Sequence, residues 1–138
     1  MSPLNTKITV TIIVARMEYK NGAVGSGEVF DLLEIPMDYN LQGRELFGVF
    51  YPQTNEYFAS VALKELFPDI DLKTDTIPGG KYATKKIKDW LYKTKEITPT
   101  FQQLKTGAIN SGYEIDADRP YVEFYKRLDE LVIWVPIK

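Results

Sequence analysis

A glutamate stands among aromatic and apolar residues in the segment Tyr121-Val-Glu-Phe-Tyr125. Alternate side chains of a β-strand share a face, so Glu123 is expected on the same face as Tyr121 and Tyr125. A carboxylate on an aromatic wall attracts an organic cation through its charge and through cation–π interaction with the rings. A desolvated carboxylate is also suited to work as a general acid or base. Glu123 is therefore the first candidate site residue, with Tyr125 beside it.

The same pattern fits a second interpretation, in which Glu123 lies on the outer face of a sheet between tyrosines that cover it. Surface carboxylates are far commoner than buried ones. The two interpretations differ in how the strand packs. If the face of Val122 and Phe124 packs on a helix, Glu123 faces a surface or crevice that it shares with the tyrosines. The pattern alone leaves both interpretations open.

The chain has 138 residues and contains neither cysteine nor histidine. This composition excludes disulfides, thiolate zinc sites, cysteine nucleophiles, Ser-His-Asp catalysis and His-ligated haem. The acidic pairs Asp69/Asp71 and Asp116/Asp118 lack the pattern of an EF-hand. We therefore predict no metal site and no cofactor.

Charge and hydropathy bear on partners and location. The formal net charge is −2, which argues against direct binding of nucleic acid. Residues 81–105 are rich in lysine, and we interpret them as the solvated face of an edge strand rather than as a nucleic-acid contact. No apolar run is long enough to span a membrane, and no signal-peptide cleavage site follows the apolar stretch Ile8–Ala15. A cytoplasmic location with no membrane partner is predicted.

Aromatic residues are abundant, with nine tyrosines, seven phenylalanines and two tryptophans. Most of them are expected in the core, where large rings contribute most to packing. Tyr82 directly follows the turn Ile77-Pro-Gly-Gly80 and is a candidate to line the mouth of a cavity. Tyr51, in a predicted hairpin, is a further candidate ligand contact.

Period-two and helical patterns divide the chain into eight predicted elements. One helix is predicted to begin near Ser26 and end near Ile35, and a second has Thr98 as its N-cap and Gly112 beyond its end. The predicted strands are Ile8–Ala15, Leu46–Tyr51, Glu56–Leu63, Lys81–Tyr92, Pro120–Tyr125 and Leu131–Ile137.

The predicted element order β-α-β-β occurs twice along the chain. It predicts an α+β fold of two β-α-β-β modules, with antiparallel sheets, two helices and a central cleft. We expect a single ligand-binding domain over residues 1–138, with approximate halves 1–72 and 73–138. A crevice between such halves is a usual location for a ligand.

An ordered set of segments resembles the GyrI-like small-molecule-binding family, whose fold is that of the effector-binding domain of AraC-type and multidrug-responsive transcription activators. Residues 46–65 are similar to the family's middle hairpin, and residues 1–45 match only in element order. The other matching segments are Ile77-Pro-Gly-Gly-Lys-Tyr-Ala83, the helix that follows, Ser111-Gly-Tyr-Glu114, Tyr121-Val-Glu-Phe-Tyr125 and Ile133-Trp-Val-Pro-Ile137.

The resemblance implies a pseudo-twofold arrangement of the two modules around a ligand cleft. It implies that Glu123 is the cleft carboxylate, which contacts cationic, lipophilic ligands, and that Tyr125 shares its wall. Tyr82 and Trp134 fall at positions that often line this cleft in the family.

The chain departs from the family pattern in two places. Thr84–Lys88 stands where many members have a glycine, and Ala108–Ser111 replaces a Trp-Leu-Pro-type segment. Pocket shape and ligand therefore do not carry over from the family.

Three functions follow from the residues and the resemblance together. The leading one is a stand-alone, non-catalytic protein that binds a lipophilic small molecule, with a cation favoured by the carboxylate. The second is a hydrolase of strained, alkylating compounds, because some stand-alone members are similar to such enzymes. In it Glu123 would position a water, and Tyr82 or Tyr125 would orient the substrate. The third is a protein-interaction role that modulates gyrase, the namesake partner of the family.

Overall fold

The computed structural model of the protein describes residues 4–18, 45–62, 73–90, 93–127 and 130–138. These residues form eight strands and the helix α1 (Ile97–Asn110), which follows a 3-10 turn at Thr94–Glu96. The strands are β1 (Asn5–Thr9), β2 (Ile12–Glu18), β3 (Leu46–Tyr51), β4 (Glu56–Ala62), β5 (Lys73–Ile77), β6 (Gly80–Lys88), β7 (Tyr121–Arg127) and β8 (Glu130–Ile137).

All eight strands belong to one antiparallel sheet with the order β1-β6-β8-β7-β3-β4-β2-β5. If each of β1 to β4 is exchanged with its counterpart among β5 to β8, the strand order read from the other edge of the sheet is the same. The two units are thus related by a pseudo-twofold axis and meet where β3 pairs with β7. The predicted α+β class with antiparallel pairing is confirmed. The first predicted helix, from Ser26 to Ile35, lies outside the described residues.

The first strand of each unit pairs with the other unit. β1 pairs with β6 and β5 pairs with β2, so the short connections β1–β2 and β5–β6 cross. Gly79 lies at this crossing, where an added Cβ atom would be 2.7 Å from the Thr11 nitrogen and 2.8 Å from the Thr9 oxygen. The Gly79 N–H donates a hydrogen bond to Thr11 Oγ1 at 3.1 Å. Only a residue without a side chain allows the two connections to come this close.

The strands differ from the predicted ones in four respects. The predicted strand Ile8–Ala15 is divided into β1 and β2, because the chain crosses between the units after Thr9. β5 was not predicted, since its sequence Lys-Thr-Asp-Thr-Ile has little apolar alternation. β6 ends at Lys88, before the left-handed residue Asp89 (φ 55°), rather than at Tyr92. β6 also lies between β1 and β8, so the lysine-rich strand is not at the edge of the sheet.

The helix α1 lies close to its predicted position. Thr98, the predicted N-cap, lies within its first turn, and the cap position belongs to Glu96, which makes no side-chain cap hydrogen bond. The predicted end is confirmed, because Gly112 has a φ of 91° and the Tyr113 N–H donates to the Ala108 carbonyl at 3.0 Å. Among the described residues, no helix is long and apolar enough to span a membrane.

The sheet buries apolar side chains on both of its faces. We name the face on which α1 packs the helix face, and the other one the opposite face. Buried residues of the helix face, together with those of α1, are Tyr57, Ala59, Val61, Ala83, Ile87, Trp90, Ile97, Phe101, Leu104, Ala108, Tyr125, Leu131, Ile133, Val135 and Ile137. Buried residues of the opposite face are Val14, Phe47, Val49, Ala62, Ile77, Tyr82, Val122 and Trp134.

Candidate functional site

Glu123 lies in the middle of β7 and is 1% exposed. Its Oε1 atom accepts one hydrogen bond from the Tyr57 hydroxyl at 2.6 Å and another from the Tyr125 hydroxyl at 3.0 Å. The interpretation of Glu123 as an exposed, outer-face residue is therefore wrong. Burying a carboxylate is costly unless hydrogen bonds compensate for the lost water, and bonds to an ionised acceptor are the strong ones. The two phenols supply part of that compensation.

The face of β7 that carries Val122 and Phe124 does not pack on a helix, and the face that carries Glu123 does. Val122 is buried on the opposite face, with Phe124 packed against the same cluster. Tyr125 belongs to the helix face, and Glu123 shares that face because alternate residues of a strand point the same way. The carboxylate therefore lies under the layer that contains α1.

Aromatic rings flank Glu123 along its own strand. On one side, the ring of Tyr121 stacks on Phe101 of α1, with the ring centroids 5.8 Å apart. On the other side, Tyr125 meets Trp90 edge-to-face at 4.8 Å. Such geometries are typical of stable aromatic pairs. The carboxylate thus lies on a wall of rings that come from β7, from α1 and from the turn that follows β6.

The two hydrogen-bonding phenols are held in their neutral form. Burial raises the pKa of Tyr57 well above its usual value of 10, and the negative charge of Glu123 raises it further. The same two causes, in the same order, raise the pKa of Tyr125. Both hydroxyls therefore remain donors near neutral pH. The arrangement places a carboxyl group with two hydrogen-bond donors in surroundings of low polarity, where a positively charged ligand would favour its ionised form.

The other three candidate ligand contacts lie on the opposite face of the sheet. Tyr82 and Trp134 are buried there with their ring centroids 5.3 Å apart, and the Tyr82 hydroxyl donates to the Pro78 carbonyl at 2.6 Å. Tyr51 is half-buried and meets Phe58 edge-to-face at 6.1 Å. The structure thus brings Glu123 and Tyr125 together and separates them from Tyr82, Trp134 and Tyr51 by the sheet. A role of these three residues in binding stays a prediction.

The rings of the opposite face are accompanied by cations of the protein itself. The Lys7 ammonium lies 5.0 Å from the ring centroid of Trp134 and 5.9 Å from that of Phe124. The Arg119 guanidinium lies 4.7 Å from the ring centroid of Tyr82. These contacts have the geometry of cation–π pairs. The aromatic surface of this face is therefore already matched with positive charge.

The predicted acidic pairs do not form a metal site in the described part of the chain. Asp116 forms an ion pair with Arg119 at 2.9 Å, and this hydrogen bond lowers the pKa of Asp116. One of its oxygens also accepts the Asp118 backbone N–H at 3.0 Å, so the pair shapes its own loop. Asp69 and Asp71 lie outside the described residues. No group of three or more acidic side chains among the described residues could hold a metal ion.

Two residues of the site were not identified from the sequence. Tyr57 is one of the aromatic residues that the sequence predicts only in general terms for the core, and Gly48 carries no sequence signal. Both reach Glu123 only because β3 pairs with β7, with Gly48 directly opposite Glu123. Pairing between distant strands leaves no trace in local periodicity, so no sequence signal in a single chain would have found them.

Comparisons with solved structures show the same fold. SAV2435, in a structure bound to tetraphenylphosphonium, superposes with a TM-score of 0.67 at 12% identity, over 99% of this chain and 94% of that one. The EcmrR C-terminal domain gives 0.61 at 11% identity, over 99% and 97%. A hydrolase from Listeria innocua gives 0.60 at 10% identity, over 98% and 91%. No protein-family model and no curated protein matches the chain.

Proposed function

We propose that this protein binds a lipophilic, cationic small molecule on the aromatic wall around Glu123. The observation that carries the proposal is the buried carboxylate of Glu123, which two neutral phenols hold among the rings of β7 and α1. A cation gains from the charge of the carboxylate and from the faces or edges of the surrounding rings. A neutral ligand of the same shape gains only the apolar contact.

The structural likeness supports a ligand of this class. Tetraphenylphosphonium, which SAV2435 binds in its structure, is a cation whose charge is covered by four aromatic rings. A molecule of that kind loses little water on entering an apolar site, and its charge needs a single anion. Among the described residues, the carboxyl group of Glu123 offers such an anion between aromatic rings. The single domain over residues 1–138 and a role in transcription regulation are parts of the same proposal.

Calorimetric titration with tetraphenylphosphonium tests the proposal. Glu123→Gln keeps the shape of the side chain and removes its charge, so we expect a loss of affinity of about tenfold to a hundredfold, since charged hydrogen-bonded partners contribute roughly 2 kcal/mol. Triphenylphosphine oxide, a neutral analogue, should bind the wild type and the variant alike. The matched control is Glu114→Gln, because the Glu114 side chain is 75% exposed. Equal affinity of the wild type and Glu123→Gln for the cation would contradict the proposal.

Hydrolysis of a strained electrophile is a second candidate function. A carboxylate within hydrogen-bond distance of a phenol can position a water and orient a substrate, and one neighbour in fold is a hydrolase. In this structure the phenol of such a pair is Tyr57 or Tyr125, because Tyr82 lies across the sheet from Glu123. The observation that would favour this function is turnover of an epoxide such as styrene oxide by the wild type, with Glu123→Gln inactive but still able to bind.

The gyrase-modulating role stays a prediction from the family resemblance. It concerns an outer surface rather than the buried carboxylate, so the titration with Glu123→Gln separates it from the first two functions. A gyrase supercoiling assay with the wild type and Glu123→Gln would give equal inhibition if this third role were correct.

A further inference from the structure

Tyr57 and Glu123 come from strands that are not neighbours. β4 carries Tyr57, β7 carries Glu123, and β3 lies between them in the sheet. Neighbouring strands are ~4.8 Å apart, so the backbones of β4 and β7 are separated by roughly 9.6 Å. The hydrogen bond of 2.6 Å between the two side chains therefore requires both of them to lie flat across β3.

The residue of β3 at this crossing is Gly48. It is directly opposite Glu123 on β7 and directly opposite Ala59 on β4, two residues from Tyr57. A Cβ atom on Gly48 would lie 2.8 Å from Tyr57 Cζ and closer still to Tyr57 Oη and Glu123 Oε1. Gly48 does not have a positive φ, so its backbone suits any residue. The requirement for glycine here is one of space.

We propose that Gly48 is a positioning residue for the ligand site, because its missing side chain leaves the space in which Tyr57 reaches and orients the Glu123 carboxylate. The inference rests on the proposed function, since it states what presents the carboxylate to the ligand. A methyl group at position 48 displaces both atoms of the hydrogen bond. Glu123 then keeps Tyr125 as a donor but loses the orientation that Tyr57 imposes from across the sheet.

A tyrosine titration tests the contact without any ligand. Absorbance at 295 nm follows ionisation of the phenols, and circular dichroism identifies the pH range in which each variant is folded. In Gly48→Ala the charge of Glu123 moves away from Tyr57 while burial, the larger cause of its raised pKa, persists, so we expect the pKa of Tyr57 to fall below its wild-type value. Gly107→Ala is the matched control, because a Cβ there would meet Leu4 Cδ1 at an ordinary 3.9 Å. Identical titrations of Gly48→Ala and the wild type would overturn the inference.

Affinity for tetraphenylphosphonium tests the consequence. We expect Gly48→Ala to bind about tenfold more weakly, in line with the loss of one charge-assisted hydrogen bond, and Gly107→Ala to stay within about twofold of the wild type. Because the proposed role acts through Tyr57, the effect of Gly48→Ala should shrink in a Tyr57→Phe background. Fully additive losses would mean that Gly48 does not act through Tyr57.

The two measurements separate failure of the inference from failure of the proposed function. A wild type that does not bind the cation defeats the proposed function, while the titration still decides whether Gly48 positions Tyr57 and Glu123. If Gly48→Ala does not fold, Tyr57→Phe alone tests the same contact, since it removes the hydroxyl and adds nothing to the crowded space. Unchanged affinity of Tyr57→Phe would then overturn the inference, and a loss of several-fold would support it.

Discussion

The two faces of the sheet use tyrosines in different ways. On the helix face, Tyr57 and Tyr125 donate their hydroxyls to the buried Glu123. On the opposite face, Tyr82 donates to a backbone carbonyl and stacks beside Trp134. On the helix face, aromatic rings surround a carboxyl group, whereas on the opposite face they pack against one another.

The cations of the protein distinguish the rings that flank Glu123 from those around Trp134. Lys7 and Arg119 lie over rings of the opposite face, whereas on the helix face Lys81 lies over Tyr113, which is not one of the rings that flank Glu123. A ring that already has a cation over its face interacts less favourably with a cationic ligand, whereas a ring beside a carboxylate attracts one. The content of aromatic residues therefore does not locate a cation site, whereas the charge next to the rings does.

The substitution with the largest expected effect distinguishes a role in packing from a role in ligand binding. Trp134→Ala removes a fully buried indole from the opposite face and should lower the free energy of unfolding by about 3–5 kcal/mol. Its affinity for tetraphenylphosphonium should stay within about twofold of the wild-type value at a temperature where the variant is folded. Urea unfolding and calorimetry measure the two quantities. A folded Trp134→Ala protein with a tenfold weaker affinity would move the ligand site to the opposite face.

Replacing a tyrosine by phenylalanine on each of the two faces should have the next largest effect on stability. Tyr125→Phe removes a hydroxyl that donates to a carboxylate, and should cost about 1.5–3 kcal/mol of stability. Tyr82→Phe removes a hydroxyl that donates to the neutral carbonyl of Pro78, and should cost about 0.5–1.5 kcal/mol. Urea denaturation at pH 7 compares them directly. Equal costs would show that the charge of Glu123 does not distinguish the faces.

Alkaline pH should lower the stability of the protein through the tyrosines of the helix face. The native pKa values of Tyr57 and Tyr125 are raised above 10, so the native state holds these protons more tightly than the unfolded chain does. Their stabilisation is complete below pH 10 and is lost as the pH rises through the native values. Above pH 10, each should lower stability by about 1.4 kcal/mol per pH unit. The double variant Tyr57→Phe/Tyr125→Phe should lose the part of the slope that these two residues cause and keep that of Tyr82, whose pKa burial also raises. An unchanged slope would contradict the assignment.

The smallest expected effect concerns the cation over Trp134. Lys7 is exposed, so replacing it by methionine keeps the aliphatic stem and removes a cation–π contact worth about 0.5–1 kcal/mol. Thermal unfolding at low and high salt measures the loss. Lys85→Met, on an exposed position of β6, is the control and should change stability less. If both variants behave alike, the contact of Lys7 with the rings does not contribute to stability.

Local patterns were sufficient for much of the fold. Aromatic, strand-forming segments on either side of a four-residue turn located the hairpin of β3 and β4, and alternation placed Glu123 on one face with Tyr121 and Tyr125. The end of α1 was predictable because Gly112 has a conformation that other residues rarely adopt. The strand β5 and the break between β1 and β2 were missed, since both depend on a connection that crosses to the other unit.

Residue types and alternation identified the residues that could form a site, and the pairing of distant strands selected those that meet. Composition excluded catalysis by histidine and cysteine, and alternation singled out Glu123. Only the pairing of β3 with β7 set Gly48 opposite that carboxylate and let Tyr57 reach it. The same sheet placed Tyr82 and Trp134 on the other side. Side-chain direction along a strand is a local property with a period of two, whereas the choice of neighbouring strand depends on contacts between residues far apart in the chain.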